Sequence, residues 1–511
     1  MPEYNPLLQS LSGLAQSNPD FVALYKKSRK VTAGKLFNRS ISVASGLAAR
    51  GFRKNDVAVI AAEPGEEFLE IMHAIILLQG KIAMIDPEMG RENYASKMQQ
   101  LQPQWMFIDS RLLFIREHPI LNWVLPRIGI KFPQISIFPG VRLIAVGRKL
   151  PIFRRHIFFR DLYKGSTHLP DPSPDGGISE NIIIYTSGTL SVPKGVLHTG
   201  KSLEASIKAL KNLLSADQNA IVGTNLPHFM LLGIASGIPV KMKKSDISPA
   251  SCIRWLVLEK IGILFGPPSD YLPLIQYCEI NEGKLPQSLR QVLIGSAPVH
   301  VQFLKRLIAV LPFYTKITCT YGMTENLLIA TVDGCRKATY SGKGDLVGKP
   351  VAGVSLKIAE DGEIMVKSDQ LFSRYFHEKK GKEWHGTGDL GEIDGQGNLI
   401  LMGRKKEMII RRNMNIYPAL YENTIKHING VEEAAMVGVF DEVIHDERVY
   451  LALEGAGLDI DNIQSLLKQG EHCIDREALP DHIFKMIIPR KGRQNKIDRL
   501  SIVDHIKKNR L

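Results

Sequence analysis

Apolar positions recur every three or four residues across 31–51, with Leu36, Ile41, Ala44 and Leu47 on one face and a closing glycine, which predicts an amphipathic helix. The run DVAVIAA at 56–62 follows and predicts a strand buried on both faces, after which 68–79 returns to helical spacing. Runs at 82–86, 105–109, 220–224, 263–266, 291–295 and 317–321 repeat the pattern. Strands alternating with helices predict a large α/β domain of stacked subdomains with substantially parallel sheets.

Two stretches break this rhythm. Segment 111–161 mixes Trp123, Phe132, Phe138, Phe153 and Phe158 with Arg127, Lys131, Arg142, Arg148, Lys149, Arg154 and Arg155, and is almost free of acids. Such a mixture suits either a surface laid against anionic lipid headgroups or a solvated loop and helix pair whose aromatics pack locally. From Gly362 the pattern turns to short β runs with a turn signal at 394–397, which reads as a separate element. After Gly403, strand patterns at 408–410, 434–440 and 449–453 and helical ones at 418–428 and near Ile463 predict a small α+β domain. The expected division is a large domain at 1–402, a hinge at 403–406 and a small mobile domain at 407–511.

A chain of 511 residues is too long for one core, in keeping with at least two domains. Cys252, Cys278, Cys319, Cys335 and Cys473 lie far apart without CxxC spacing, so reduced thiols are expected rather than a zinc site or a disulfide framework. The first sixteen residues lack the pattern of a secretory signal, and no apolar run reaches spanning length, which points to a cytoplasmic protein with at most peripheral membrane contact. The formal charge of +13 admits anionic lipid or polyanionic small substrates. Nucleic acid is not expected, because neither zinc-finger spacing nor an aromatic ribonucleoprotein motif is present.

The densest chemical signal is YTSGTLSVPKGV at 185–196, directly after an apolar strand. A hydroxyl- and glycine-rich loop leaving a strand can aim N–H groups and hydroxyls at phosphate oxygens, with Lys194 as a nearby cation. It is not a Walker A loop, since GxxxxGK[ST] is absent.

This loop resembles the signature of the adenylate-forming superfamily, which includes acyl-CoA synthetases, luciferases and nonribosomal-peptide adenylation domains. Further matches follow in order: GSAP at 295–298, YGMTE at 321–325, GTGDL at 386–390, the hinge and crossover segment at 403–418, and NKIDR at 495–499. The resemblance implies that Thr186, Ser187, Gly188, Thr189 and Lys194 hold the β- and γ-phosphates of ATP and that Thr324 reaches the α-phosphate. It further implies that Glu325 binds Mg²⁺, that Gly295, Ser296, Ala297 and Pro298 flank the adenine, and that Tyr321, followed by Gly322, stacks on it. Asp389 would accept the ribose hydroxyls, Arg404 would help hold the nucleotide, Lys406 would be the hinge, and Lys496 would bridge carboxylate and phosphate. Taken singly, Glu325, Asp389 and Lys496 read as ordinary surface or turn residues; their order and spacing favour the functional reading. His198 and His228 are expected to be structural or binding groups, since adenylation removes no proton from a carboxylate.

The sequence departs from the family at Leu190 and Ser191, where a hydroxyl and a glycine are usual, at Met230 after LPHF, and at Arg412 and Asn413 in place of a glycine pair. The implied activity is activation of a carboxylic acid, of the fatty-acid class, followed by transfer to CoA. Some details, such as IDPEMG at 85–90 and VGRKLP at 146–151, resemble β-lactone synthetases, so lactone closure of a β-hydroxy acid is the alternative within enzymes. A nucleotide- or acyl-AMP-binding module of weakened activity is the alternative outside them.

Overall fold

The computed structural model describes residues 5–26, 29–85, 91–118, 139–148, 156–164, 180–185, 194–214, 220–224, 226–244, 247–378, 383–411, 414–442, 444, 446–469, 472–491 and 496–509. Among these, two large sheets carry most of the chain. One has eight strands, of which Ile157–Phe158, Arg142–Val146, Trp105–Asp109, Val57–Ala61, Lys81–Met84 and Glu180–Tyr185 run parallel in that spatial order, before Gly195–Thr199 joins antiparallel. Strand Val57–Ala61 explains its apolar run: Val57, Val59 and Ala61 enter one buried cluster while Ala58 and Ile60 enter another on the opposite face.

The second sheet has thirteen strands. Its parallel part runs through Lys316–Met323, Gln291–Ile294, Ile261–Gly266, Ile221–Thr224, Val240–Met242 and Val22–Lys26. The outer edge there is Arg29–Thr32, antiparallel to Val22–Lys26. Helices Pro6–Ser17, Ala33–Ala48 and Glu66–Leu77 contribute to a buried cluster that also contains residues of both sheets, so they form a layer shared by the two. Helices Pro249–Leu258, Pro268–Ile280 and Val301–Val310 cover the other face of the larger sheet.

The short β runs after Gly362 are not a separate element. Strand Leu399–Arg404 pairs with Asp345–Pro350 and with His385–Ile393, so they continue the thirteen-stranded sheet. The texture of the sequence changes because the sheet turns antiparallel there, replacing crossover helices with tight turns.

Beyond residue 409, two buried clusters contain no residue from earlier in the chain. Strands Glu433–Asp441 and Asp446–Glu454 pair antiparallel, and His482–Lys485 adds in parallel. Ala434 and Met436 face helices Pro418–Ile425 and Ile460–Lys468, while Ala435 and Val437 face helix Arg499–Asn509. The helix expected to end at residue 428 stops at Ile425, where Lys426 caps it.

Most basic and aromatic residues named in segment 111–161 lie outside the described residues: Trp123, Arg127, Lys131, Phe132, Phe138, Lys149, Phe153, Arg154 and Arg155. Of the rest, Phe158 is buried, and Arg142 packs 5.0 Å from the Trp105 ring centroid while donating to the Arg50 carbonyl. Phe158 is thus used inside the fold, whereas Arg142 is held against it while still exposed, and Arg148 is exposed. All five cysteines are free, and among the described residues no helix is long and apolar enough to cross a membrane.

Candidate active site

The candidate residues gather at the carboxyl ends of the parallel strands, where open α/β sheets bind ligands. Strand Gln291–Ile294 leads into Gly295, whose backbone lies so close to the next strand that a Cβ would stand 2.1 Å from Thr320 Oγ1. Only glycine fits there. The chain then passes through Ser296 at φ 65°, a left-handed conformation that costs a non-glycine residue energy, and on to Ala297 and Pro298. Strand Lys316–Met323 ends in Tyr321 and Gly322, and a Cβ on Gly322 would meet the Leu327 carbonyl at 2.0 Å, so the tight return through Thr324 and Glu325 also demands glycine.

Tyr321, Asp389 and Arg404 form one hydrogen-bonded unit. Asp389 and Arg404 are direct partners across neighbouring strands, which sets the guanidinium Nε 2.8 Å from Asp389 Oδ1. The Tyr321 hydroxyl donates to Asp389 Oδ2 at 2.7 Å. Burial pushes the Asp389 carboxyl up from its ordinary range, against the pull of Arg404 and Tyr321. Lys496, on the short strand Lys496–Ile497 near the end of the chain, lies within electrostatic range of Asp389, Arg404 and Glu407. Burial holds its ammonium below the usual lysine range and the positive Arg404 adds to the shift, while Asp389 and Glu407 oppose it.

A second group surrounds Glu325, which is buried and accepts a hydrogen bond from the Tyr375 hydroxyl at 2.8 Å. The preceding Thr324 carbonyl accepts from His198 Nε2 at 2.8 Å. His198 is fully buried, and burial lowers its pKa to about 4, so the ring is neutral and fixes the backbone next to Glu325. Lys194 stands before strand Gly195–Thr199 with its ammonium 3.0 Å from Glu378 and 4.4 Å from the centroid of Tyr375. His385 lies within electrostatic range of Glu325, Glu363 and Lys194, and burial lowers its pKa.

Thr186, Ser187, Gly188, Thr189, Leu190, Ser191, Arg412 and Asn413 lie outside the described residues. Met230 is fully buried, and the Phe229 ring is stacked on Phe265 with centroids 3.3 Å apart, all three within the buried cluster shared by the two sheets. Lys406 is exposed in the single 3₁₀ turn Lys405–Glu407, between strand Leu399–Arg404 and strand Ile409–Arg411. Next to it, Glu407 is bound by Arg499 Nε at 3.1 Å, and Arg499 grips Glu422 with both terminal nitrogens at 2.6 and 2.9 Å.

Sequence reasoning missed Tyr375, Glu378, His385 and Arg499. Arg499 and His385 had a signal, as the last residue of NKIDR and the residue directly before GTGDL, but Tyr375 and Glu378 meet Glu325 and Lys194 across sequence distances that leave no local pattern. Among the described residues, no group of three or more His, Cys, Asp or Glu is placed to hold a metal ion by itself. A lone buried carboxylate such as Glu325 does suit Mg²⁺, which keeps waters and takes most of its ligands from substrate phosphates.

A long-chain-fatty-acid–CoA ligase of Mycobacterium tuberculosis is 29% identical over 53% of this chain and 57% of that protein. Another CoA ligase of the same organism is matched over 63% of its own length. The olefin beta-lactone synthetase of Stenotrophomonas maltophilia is 25% identical over 84% of each chain. The solved structure of o-succinylbenzoate CoA synthetase from Bacillus subtilis, in complex with its acyl-adenylate intermediate, superposes with a TM-score of 0.78. That likeness covers 98% of both chains at 22% identity, and it shows a shared fold. The family model described as AMP-binding enzyme matches residues 13–376, a span holding the 185–196 loop, GSAP and YGMTE, and the chain therefore belongs to the AMP-binding enzyme family.

Proposed function

We propose that this chain activates a carboxylic acid of the fatty-acid class with ATP, releasing pyrophosphate to give an acyl-adenylate, and then transfers the acyl group to CoA. The observation that carries the reading is the Tyr321–Asp389–Arg404 unit at the carboxyl ends of the parallel strands, with Lys496 within electrostatic range of Asp389 and Arg404.

In this reading the hydrogen bond from Tyr321 fixes its ring for stacking on adenine, and the Asp389 carboxylate, with lone pairs beyond those used by Tyr321 and Arg404, accepts the ribose hydroxyls. Lys194, Thr324 and the 186–189 loop hold the phosphates. Glu325, oriented by Tyr375 and by the backbone that His198 fixes, would hold Mg²⁺. The metal's contribution would be to neutralise phosphate charge. Lys496 carries its positive charge between the attacking carboxylate and the α-phosphate, where two anions must approach in line. The fatty-acid class rests on the similarity to the long-chain-fatty-acid–CoA ligase of Mycobacterium tuberculosis. Residues 1–402 form the large domain, 403–406 the hinge and 407–511 the small domain, a division supported by the self-contained clusters after residue 409.

Acid-dependent exchange of pyrophosphate into ATP, measured over fatty acids of graded length, tests the first step. Absence of exchange with retained ATP binding would leave a nucleotide-binding module. Adding CoA then tests the second. The similarity to the olefin beta-lactone synthetase over 84% of each chain favours a second reading, lactone closure of a β-hydroxy acid. Stoichiometric pyrophosphate release from a β-hydroxy acid without CoA, with a lactone as product, would establish it.

A further inference from the structure

The candidate site occupies the carboxyl ends of strands Gln291–Ile294 and Lys316–Met323. The opposite end of the same sheet carries an apolar and basic rim that the proposed reaction leaves unused. Helices Pro249–Leu258, Pro268–Ile280 and Val301–Val310 each lead into one of three parallel strands, Ile261–Gly266, Gln291–Ile294 and Lys316–Met323, so their C-termini share one edge. The loop at 281–290 ties that edge together. Its Leu285 N–H donates to the Val310 carbonyl at 2.8 Å, its Ser288 hydroxyl to the Leu256 carbonyl at 3.5 Å, and its Gln287 carbonyl accepts from the Tyr314 hydroxyl at 2.8 Å.

Along this edge Leu258 is 71% exposed, Ile280 81% and Phe313 99%. Scattered exposed apolar residues are ordinary, but here Leu258 and Ile280 end two adjacent helices and Phe313 stands in the turn after the third. Lys260, Arg290 and Lys316 are exposed beside them, with the Arg290 guanidinium 4.5 Å from the centroid of Tyr314. Of the acids along this edge, Glu259 pairs with Lys241 and Glu279 with Arg306, and Glu282 is exposed in the 281–290 loop. The negative ends of the helices are countered as well, since Lys284 donates to the Ala309 carbonyl.

We propose that this rim attaches the protein to an anionic lipid bilayer. Its apolar residues protrude singly as tips rather than lining a groove, which a planar interface accommodates by taking up each side chain between headgroups while the flanking cations meet anionic lipid. Attachment there turns the candidate site, at the opposite end of the same strands, away from the bilayer.

The test is co-sedimentation of the full chain with vesicles of phosphatidylcholine alone and with vesicles containing about one third phosphatidylserine. The parent should sediment with the anionic vesicles only. The pair Leu258→Ser and Phe313→Ser, and separately the triple Lys260→Gln, Arg290→Gln and Lys316→Gln, should each lower the partition about tenfold while unfolding at the parent's temperature. A third variant, Arg148→Gln with Lys149→Gln, Arg154→Gln and Arg155→Gln, should bind as the parent does. Four results would overturn the proposal: no binding by the parent, equal binding to both vesicles, unchanged binding of the first two variants, or loss confined to the third. Conversion of a parent dimer to a monomer by the serine pair, read by analytical ultracentrifugation, would overturn it too, assigning the rim to a second copy of the chain.

Discussion

Replacing Glu70 by glutamine should change how the stability of the large sheets depends on pH. Glu70 lies on helix Glu66–Leu77 with no exposed surface; the Tyr163 hydroxyl donates to it at 2.5 Å, and Arg39, bound more closely to Glu66 at 2.6 Å, approaches it at 3.4 Å. Burial outweighs both partners and lifts the carboxyl from 4.5 to about 7. Because the folded pKa is the higher one, the folded protein holds the proton more tightly than the unfolded chain. The resulting stabilisation is complete below about pH 4.5 and is lost as pH rises to about 7. That displacement corresponds to about 3 kcal/mol. Glutamine is neutral throughout and still accepts from Tyr163, so the loss should vanish. With an unfolding entropy of about 2 cal/mol/K per residue over roughly 400 residues, ~3 kcal/mol corresponds to about 4 °C. Thermal unfolding of parent and variant at one scan rate, from about pH 5 to about pH 8, measures this directly. The variant should gain on the parent as pH rises, by up to about 4 °C. Parallel curves, or a variant that falls behind at high pH, would refute the argument.

Lys496→Ala should slow acyl-adenylate formation by roughly 10²–10³-fold while sparing thioester formation from supplied acyl-AMP, and equal losses in the two half-reactions would contradict the role given to this lysine. Asp389→Asn should raise the KM for ATP about 10- to 100-fold, since charged hydrogen bonds to the ribose are lost; an unchanged KM would remove Asp389 from the nucleotide site. Tyr375→Phe should raise the Mg²⁺ concentration for half-maximal pyrophosphate exchange about threefold to tenfold, because the Glu325 carboxylate loses its tether, and an unchanged Mg²⁺ requirement would make Tyr375 a packing residue only. Leu190→Thr combined with Ser191→Gly should maintain or raise the exchange rate, by at most about tenfold, since it restores one hydroxyl and one permissive backbone position; a large drop would show that Leu190 serves another purpose.

What the sequence disclosed depended on whether the cause was local. Strand Trp105–Asp109 was legible to the residue, because a run of four apolar residues bounded by Gln104 and Asp109 fits a short strand buried on both faces. Hairpin Val22–Lys26 and Arg29–Thr32 was not, since Lys26, Arg29 and Lys30 interrupt any apolar pattern and the pairing partner, Val240–Met242, lies far along the chain. The site divides in the same way. The loops around Gly295 and Gly322 were legible through their resemblance to family motifs, and the close approaches at both glycines give a physical reason for the residue type. The hydrogen bonds from His198 to Thr324 and from Tyr375 to Glu325 join the eight-stranded sheet to a turn of the thirteen-stranded one, and nothing near those residues in sequence records the contact. The antiparallel end of the large sheet was mistaken for a separate element for a related reason: strand pairing, not local texture, decides where a sheet stops.

The parallel pairing of Val22–Lys26 with Val240–Met242 also bears on the order in which the protein is made. On a ribosome adding about 5–20 residues per second, the N-terminal hairpin waits roughly ten to forty seconds for the strand that will receive it. Throughout that interval it is a free strand edge, the kind that recruits another nascent chain. Lys26, Arg29 and Lys30 are exposed along it. Their charge hinders such pairing before the sheet is complete, and Arg29 and Lys30, on the strand that remains outermost, continue to hinder it afterwards.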